Sequence, residues 1–139
     1  MYLTPRDMAK LGYLYLNNGE WEGKSILSAD WVRASLQSHS KIAMAGGYAD
    51  YGYYWWIYPE LGLYEAWGGA GQRIGIFPDL NIVTVMTSNI PDDAPVTAFS
   101  SAIYHAIVAA VMSPTPLPEN SEAFAELGKM ITSAAKNHK

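Results

Sequence analysis

Three glycines within four positions form the part of this sequence whose residue types point most directly to chemistry. They lie in the segment Trp67-Gly68-Gly69-Ala70-Gly71-Gln72, between two apolar runs. Glycine has no Cβ, so its backbone can approach a ligand closely and can adopt conformations that other residues avoid. Within a strand, such a cluster indicates either a β-bulge or a surface that binds a ligand. The residues alone leave both interpretations open.

Histidine and cysteine are the other residue types that commonly carry catalysis or bind metals. The three histidines, His39, His105 and His138, do not stand at a spacing typical of metal ligands. The sequence has no cysteine, which excludes disulfides and thiolate metal sites. We therefore predict no metal site and no cofactor.

The stretch that must position the glycines has the pattern of a small β-sheet. Tyr53 to Tyr58 is a run of aromatic and β-branched residues, which favours a half-buried strand. A second strand is expected to begin near Leu63, pause at the glycines and resume from Gln72 to Phe77. A third is expected over Ile82 to Met86. The short loops between these runs favour an antiparallel meander of about three strands.

Helical patterns on either side of this stretch predict cover for the sheet, so the expected fold class is α+β. Thr4 caps a first helix and Ser28 caps a second. After the sheet, a long apolar helix is expected to begin at Asp92-Asp93 or Ala94-Pro95 and to run to about Met112. Its apolar residues recur with a 3.6-residue period, which predicts packing across the sheet.

The C-terminal region divides from the rest by composition. Residues 1–112 form the main unit, residues 113–120 are a proline-rich linker of stiff, extended composition, and residues 121–139 form a tail. Within the tail, Ser121 to Lys136 predicts a helix with a narrow apolar stripe of Phe124, Leu127 and Ile131. This stripe is too small to stabilise an isolated helix, so we expect it to dock on its own sheet or on a neighbour's.

Overall composition excludes several classes of function. The 139 residues carry a net charge of −4 with no basic patch, which argues against nucleic acid binding. No run approaches the roughly 20 apolar residues of a membrane span. The N-terminus lacks the pattern of a signal peptide. Localisation therefore stays undetermined, and would be periplasmic or extracellular if a parent protein carried a signal further upstream.

Three blocks of the sequence, in their order and spacing, carry a family resemblance. They are LTPRDMAKLGYLYLNNGEWEGKSILSADWV, YGYYWWIY and EAWGGAGQRIGIFPDLNIVTVMTSN. Over about residues 2–112 the chain resembles the C-terminal part of serine β-lactamase-like hydrolases. That superfamily joins class C β-lactamases, penicillin-binding proteins, D-alanyl-D-alanine peptidases, related esterases and the 6-aminohexanoate-dimer hydrolase. The resemblance implies a partial β-lactamase-like α/β sandwich.

The resemblance also implies roles for the glycine segment. Members of the superfamily use a Ser-x-x-Lys nucleophile, a Tyr or Ser motif, and a third element that is Lys-Thr-Gly or a variant. Trp67, Gly68 and Gly69 stand where the third element is expected, and a slip of one residue would give Ala66, Trp67 and Gly68 instead. By this resemblance Ala70, Gly71 and Gln72 contribute to substrate binding. The backbone N–H of Ala70 or Gly71 would serve an oxyanion hole, whereas Gln72 is assigned a structural role first.

The nucleophile that the resemblance requires is expected in an N-terminal portion outside this sequence. Two local matches to Ser-x-x-Lys exist, Ser38 with Lys41 and Ser133 with Lys136. The stretch Ser38 to Asp50 predicts a loop, and Ser133 lies in the tail helix beyond the resemblance. A serine three residues before a lysine is common by chance, so we assign neither pair a catalytic role.

The resulting prediction is a C-terminal fragment of a β-lactamase-related serine hydrolase. The parent reaction would be acyl transfer on an amide, ester or β-lactam, and this chain alone is expected to be inactive. Its expected partners are the missing N-terminal portion of the domain or further copies of itself, as a dimer or higher oligomer. The alternative is a non-catalytic binding or interaction module that uses the same fold.

Overall fold

The computed structural model describes residues 3–44, 47–91, 96–113 and 118–136, and its main feature is an antiparallel sheet with helices on both faces. The helices are α1 (Pro5–Leu16), α2 (Ala29–Ser35), α3 (Val96–Ala110) and α4 (Ser121–Lys136). The strands are β1 (Glu20–Trp21), β2 (Lys24–Ser25), β3 (Ser40–Met44), β4 (Gly47–Tyr51), β5 (Trp56–Tyr58), β6 (Leu63–Trp67), β7 (Arg73–Phe77) and β8 (Ile82–Met86). The α+β class with an antiparallel meander is confirmed.

The main sheet has six strands in the order β3-β4-β5-β6-β7-β8, and β1 pairs with β2 in a separate hairpin. Each strand of the main sheet is antiparallel to the next one in the sequence. The prediction of about three strands was therefore wrong in number. The differences arise at two places, before β5 and at the glycine segment.

Before β5, the predicted loop over Ser38 to Asp50 was wrong, because β3 and β4 form a hairpin there. In its register Lys41 lies opposite Asp50 and Ile42 opposite Ala49. Ala49 is buried. The stretch is rich in small residues, so its own strand propensity is weak, and cross-strand pairing decides the conformation.

The first predicted strand is shorter than expected and begins only at Trp56. The three residues before it form a turn closed by the Gly52 N–H, which donates to the Trp55 carbonyl at 2.8 Å. Tyr54 has a φ of 66° in this turn and is 85% exposed. A Cβ on Gly52 would lie 2.1 Å from the Ser35 carbonyl oxygen, so only glycine allows α2 to pack this closely.

At the glycine segment, the single interrupted strand that we predicted is two antiparallel strands. Trp67 at the end of β6 pairs with Arg73 at the start of β7. The glycines reverse the chain between them, so the prediction of one continuous strand was wrong, and of the two open interpretations the bulge does not apply. The third predicted strand, Ile82 to Met86, coincides with β8 and is confirmed.

One face of the sheet packs against α1. The buried residues on this face are Trp55, Ile74 and Ile76, and partly buried apolar residues from α1, from the strands and from the residue that follows α2 surround them. Gly12 of α1 sits directly over β8, where an added Cβ would lie 2.5 Å from a methyl carbon of Val83. This close approach fixes α1 against β7 and β8.

The opposite face packs against α3. Tyr104 of α3 is buried with Leu63 of β6 and Phe77 of β7, and its ring meets that of Phe77 edge-on at 5.7 Å. The predicted packing of this helix on the sheet is therefore confirmed, although it ends at Ala110. The predicted start at residues 92–95 and the Phe99 side chain lie outside what the structure describes.

The tail helix α4 lies apart from both faces. Every residue from Ser121 to Lys136 is exposed, including the apolar residues of its stripe. Docking on its own sheet was therefore a wrong prediction, and docking on a neighbour's sheet stays a prediction. Residues 114–117 of the predicted linker lie outside the described residues. None of the helices in the described ranges is both long enough and apolar enough to cross a lipid bilayer.

Candidate functional site

The turn between β6 and β7 brings the glycine segment to the end of the sheet. Gly68 is extended, with φ −116° and ψ 163°, and its N–H donates to the Gln72 carbonyl at 2.8 Å. Ala70 and Gly71 then adopt left-handed conformations, with φ of 56° and 86°. Glycine takes this conformation at little cost, but for Ala70 it is uncommon and strained. The surrounding structure must therefore hold the turn.

Hydrogen bonds from the segment after β8 hold it. The Ala70 carbonyl accepts from the Ser88 hydroxyl at 2.8 Å and from the Ile90 N–H at 3.1 Å. In return, the Gln72 side-chain amide donates to the Ser88 carbonyl. These contacts support the structural role that we assigned first to Gln72.

An open pocket of about 570 Å³ lies beside this turn on the face of the sheet that carries α1. Its lining comes from the turn, from the adjoining strands and from the N-terminal end of α1: Leu3, Met8, Ala66, Trp67, Gly68, Gly69, Gln72 and Ile74. A Cβ added to Gly69 would have no neighbour within 4 Å. A ligand can therefore reach the turn backbone from this side.

A second open pocket, of about 660 Å³, shares Ala66 with the first and is lined mainly by aromatic rings. Trp31 and Tyr53 stack there at 5.7 Å, and the ring of His39 stacks on the ring of Tyr53 at 4.1 Å. Trp31 and Tyr53 are each about half exposed, at 49% and 44%. The α1 face of the sheet therefore offers a polar backbone turn with an aromatic surface beside it.

Behind the turn, on the α3 face, lies a buried polar network centred on Glu65. One carboxylate oxygen, Oε2, accepts from the Trp67 indole N–H and lies 2.9 Å from a guanidinium nitrogen of Arg73. The other, Oε1, accepts from the Tyr104 hydroxyl. The side chains of Glu65 and Arg73 are only 2% and 5% exposed. Two hydrogen-bond donors and one guanidinium, from three elements, thus meet at one buried carboxylate.

The same network surrounds the Trp67 ring. The guanidinium carbon of Arg73 lies 4.3 Å from the ring centroid, a cation–π distance. Trp56 on β5 stacks on the indole at 4.5 Å with an interplanar angle of 29°. Trp67, the first residue of the predicted third element, is therefore restrained by contacts with β5, β6 and β7.

Burial and charge suppress the ionisation of two tyrosines near Glu65. Burial raises the pKa of Tyr104 well above its usual range, and the charge of Glu65 and the hydrogen bond to it raise that pKa further. Burial also raises the pKa of Tyr58 to about 12, with the charges of Glu65 and Glu60 adding to the shift. Tyr104 therefore keeps its proton and donates a hydrogen bond to Glu65 at neutral pH.

The two Ser-x-x-Lys matches lie away from the turn. Ser38 donates to Asp50 at 2.7 Å, and the Lys41 ammonium lies 2.9 Å from the same Asp50 oxygen. Both groups of this pair are thus engaged with a third residue. Ser133 and Lys136 belong to the exposed helix α4. Neither serine lines the pocket beside the turn.

The histidines bond to backbone carbonyls near their own elements. A ring nitrogen of His39 lies 2.7 Å from the Ala34 carbonyl oxygen, and one of His105 lies 2.8 Å from that of Ser101. His138 lies outside the described residues. Within the part of the chain that the structure describes, no three His, Asp or Glu side chains come together as a metal site.

Comparison with known families gives the origin of this arrangement. The model of the Beta-lactamase family matches residues 1–106, which include the sheet, the turn and most of α3. This chain belongs to the beta-lactamase family. The resemblance drawn from the sequence is confirmed.

A solved structure supports the same beta-lactamase-family assignment. The chain is similar to a Bacillus anthracis protein assigned as a 6-aminohexanoate-dimer hydrolase, with 31% identity and a TM-score of 0.61. The match covers 76% of this chain and 28% of that protein. The chain thus spans just over a quarter of the length of this relative.

In this beta-lactamase-family chain, the six predicted site residues are consecutive at the end of β6 and in the turn after it. Four of them line the pocket beside the turn, whereas Ala70 and Gly71 do not. Trp67 ends β6, and Gly68, Gly69, Ala70, Gly71 and Gln72 connect it to β7. Their roles in catalysis and substrate binding stay predictions, as does the oxyanion role of the Ala70 or Gly71 N–H.

The sequence analysis did not identify Glu65, Arg73 and Tyr104. A usable signal existed for the first two, since they are opposite charges within strands that flank the glycine turn, in a chain with only 16% charged residues. Once β6 and β7 are taken as a hairpin, Glu65 and Arg73 become diagonal neighbours on one face. Tyr104 carried no local signal that set it apart from its helix.

Proposed function

We propose that this chain supplies the third-motif strand and turn of a β-lactamase-like serine hydrolase. The reaction would be acyl transfer through a serine ester, on an amide, ester or β-lactam. One observation carries the proposal: Trp67, Gly68, Gly69 and Gln72 line an open pocket on the face of the sheet that also carries α1. Trp67, Gly68 and Gly69 would form the third element, and Ala70, Gly71 and Gln72 would contact the substrate.

The proposal assigns the nucleophile and its base to a segment that this sequence does not contain. Support comes from the surroundings of Ser38, whose hydroxyl and the Lys41 ammonium both bind Asp50. Asp50 is a weak base, because its hydrogen bonds to Lys41 and Ser38 lower its pKa. An unactivated serine hydroxyl is a poor nucleophile, so this chain alone would not form an acyl-enzyme.

The first experiment uses the chain alone. Incubated with a penicillin or a fluorophosphonate, it should show no mass increase, and a nitrophenyl ester should not turn over above buffer. Variants Ser38→Ala and Ser133→Ala serve as controls. A stoichiometric adduct that is lost in Ser38→Ala would contradict the proposal and would make the chain a self-sufficient hydrolase.

The second experiment supplies the missing chemistry. The chain is mixed with the N-terminal portion of a beta-lactamase-family hydrolase that carries Ser-x-x-Lys, and acylation of the supplied serine is followed by mass spectrometry. Gly69→Leu should lower the acylation rate at least tenfold, since its side chain enters the pocket beside the turn. Gly128→Leu in α4 is the matched control, because an added Cβ is also free of neighbours there. Equal rates for both variants would contradict a role for the turn.

The open side of β8 supports a physical partner. β8 is the last strand in the order of the described sheet and pairs with β7 alone. An unpaired edge is a template for another strand, so we propose that the missing N-terminal portion, or a second copy of the chain, pairs there. Light scattering over a concentration series tests self-association, and a monomer at every concentration would exclude it.

A non-catalytic binding module is the second candidate function. It is favoured by the aromatic pocket, where Trp31, Tyr53 and Tyr54 are exposed although burial of such rings is normally favourable. A module of this kind should bind its ligand without any added segment, and Trp31→Ala should abolish binding while Gly69→Leu leaves it intact. The acyl-transfer proposal expects the opposite ranking of these two variants in the acylation assay.

A further inference from the structure

We propose that Glu65 is a positioning residue that fixes the Trp67 indole and, through it, the backbone of Gly68 and Gly69 at the pocket. This inference rests on the proposed function for the importance of the turn. The contacts on which it is based all lie within the described residues. It assigns a task to a buried acidic side chain that the acyl-transfer chemistry itself does not use.

The position of Glu65 in β6 is the first step. Glu65 and Trp67 are two residues apart on one strand, so both side chains project from the same face. Tyr104 of α3 donates to Glu65, which identifies this as the α3 face. The indole N–H bonds to Glu65 on that face, so the Trp67 ring is held by groups on the side opposite α1.

The second step follows from where the pocket lies. Besides Trp67 and the two glycines, its lining includes Met8, Ala66 and Ile74, which pack in the cluster between the sheet and α1. With the indole retained on the α3 face, the backbone of Gly68 and Gly69 is left to meet a ligand. If the ring were released, it could rotate about the end of β6 and change how Gly68 and Gly69 are presented.

The third step is the number of contacts made by Glu65. Its carboxylate accepts from Trp67 and Tyr104 and forms the ion pair with Arg73, which itself lies over the indole. A purely apolar residue at position 65 could fill the space but could not bind the indole N–H. Glu65 therefore sets an orientation in addition to filling space, and it connects α3 to the turn through Tyr104.

The test measures orientation in the folded chain and needs no turnover. Trp56 and Trp67 are stacked closely enough to give an exciton couplet in circular dichroism, and Trp67→Phe defines the signal without it. Amide resonances of Gly68 and Gly69 in ¹⁵N NMR spectra report the turn. Both are recorded well below the unfolding midpoint of each variant, so a loss of stability alone would not change them.

In Glu65→Leu, whose side chain accepts no hydrogen bond from the indole, we expect the couplet to fall by at least half and the Gly68 and Gly69 amide resonances to shift. Tyr104→Phe, which touches neither glycine, should shift the same resonances to a smaller extent, and it decides the question by itself if Glu65→Leu does not fold. Glu60→Leu is the matched control, at an exposed glutamate in the turn before β6, and should leave both signals unchanged. An intact couplet with unshifted glycine resonances in the folded variants would overturn the proposal.

The outcome is separable from that of the acylation experiment. If Glu65→Leu moves the turn but the assembled protein forms no acyl-enzyme, the positioning role stands and the proposed function fails. If acylation occurs but Glu65→Leu leaves the spectra unchanged, the function stands and the positioning role fails.

Discussion

Two carboxylates in this molecule each gather more than one donor, and they differ mainly in their access to water. Asp50 of β4 accepts from Ser38 and from Lys41 of the edge strand β3, and the Asp50 and Lys41 side chains are 23% and 67% exposed. Glu65 accepts from Trp67 and Tyr104 and pairs with Arg73 between the sheet and α3. The two clusters contain similar chemical groups, but Glu65 lies in a surrounding of lower dielectric than Asp50.

The difference shows why similar contacts have different consequences. At the surface, water and salt screen an ion pair, and holding two long side chains in place costs entropy. In the interior, both charges have lost their hydration, so each depends on the other. The Asp50 cluster should therefore be dispensable, whereas the Glu65 cluster should be costly to break from one side.

The largest effect is expected from Arg73→Met, which leaves Glu65 buried without its counter-charge. Breaking a buried ion pair in this way costs about 3–5 kcal/mol in the free energy of unfolding. Urea denaturation at neutral pH would measure this loss. Lys41→Met, the same change at the surface pair, should shift the denaturation midpoint only slightly.

Adding Glu65→Gln to Arg73→Met removes both charges and should restore part of the lost free energy of unfolding. If Arg73→Met lowered the free energy of unfolding by less than about 1 kcal/mol, the range of a surface ion pair, the two clusters would not differ as we expect.

An intermediate effect is expected at alkaline pH. The pKa of Tyr104 is raised in the folded chain, and that of Tyr58 is raised to about 12 from its usual value of 10.0. Above pH 10 the unfolded chain releases these protons while the folded chain keeps them. Stability is thus fully present below pH 10 and falls as pH rises toward 12.

Urea midpoints at pH 9, 10 and 11 measure how steeply stability falls with pH. This slope should be shallower in Tyr104→Phe. Tyr54→Phe is the control, because the Tyr54 side chain is exposed, and it should leave the slope unchanged. Identical slopes in Tyr104→Phe and the parent chain would show that Tyr104 ionises freely in the folded state.

The smallest effect is expected from Asp50→Asn. Hydrogen bonds from Lys41 and Ser38 lower the pKa of Asp50 below its usual 3.8, so its contribution to stability is present above pH 3.8 and is lost as pH falls through the folded value. At pH 7 the urea midpoint should shift barely beyond error, and 1 M NaCl should remove the shift. A salt-resistant decrease as large as that of Arg73→Met would mean that exposure does not separate the clusters.

Local signals explain which elements the sequence predicts well. Thr4 accepts from the Asp7 N–H at 3.2 Å and begins α1 as its side chain predicts, and β8 follows its run of β-branched residues. The β3–β4 hairpin was missed because its conformation depends on cross-strand pairing, which no short window contains. The apolar stripe of α4 was identified from its helical period. Its exposure depends on how the whole chain packs, which a helical period does not report.

The candidate site divides in the same way. The turn over Trp67–Gln72 is visible in the sequence because glycine reports a backbone constraint at its own position. The network behind it depends on the register that brings Glu65 and Arg73 onto one face, and on α3 bringing Tyr104 from 39 residues away. The buried network can be predicted only after the chain reversal at the glycines has been recognised.

The order of strands has a consequence for how the chain reaches its native state. Each strand of the six-stranded sheet pairs with its neighbour in the sequence, so the sheet can form as successive hairpins, each closing a short loop at low entropic cost. The contact between Glu65 and Tyr104 closes a much longer loop. While the hairpins assemble, Glu65 and Arg73 can therefore remain hydrated. Their desolvation is concentrated in the docking of α3, which we expect to be the late and slow event in folding.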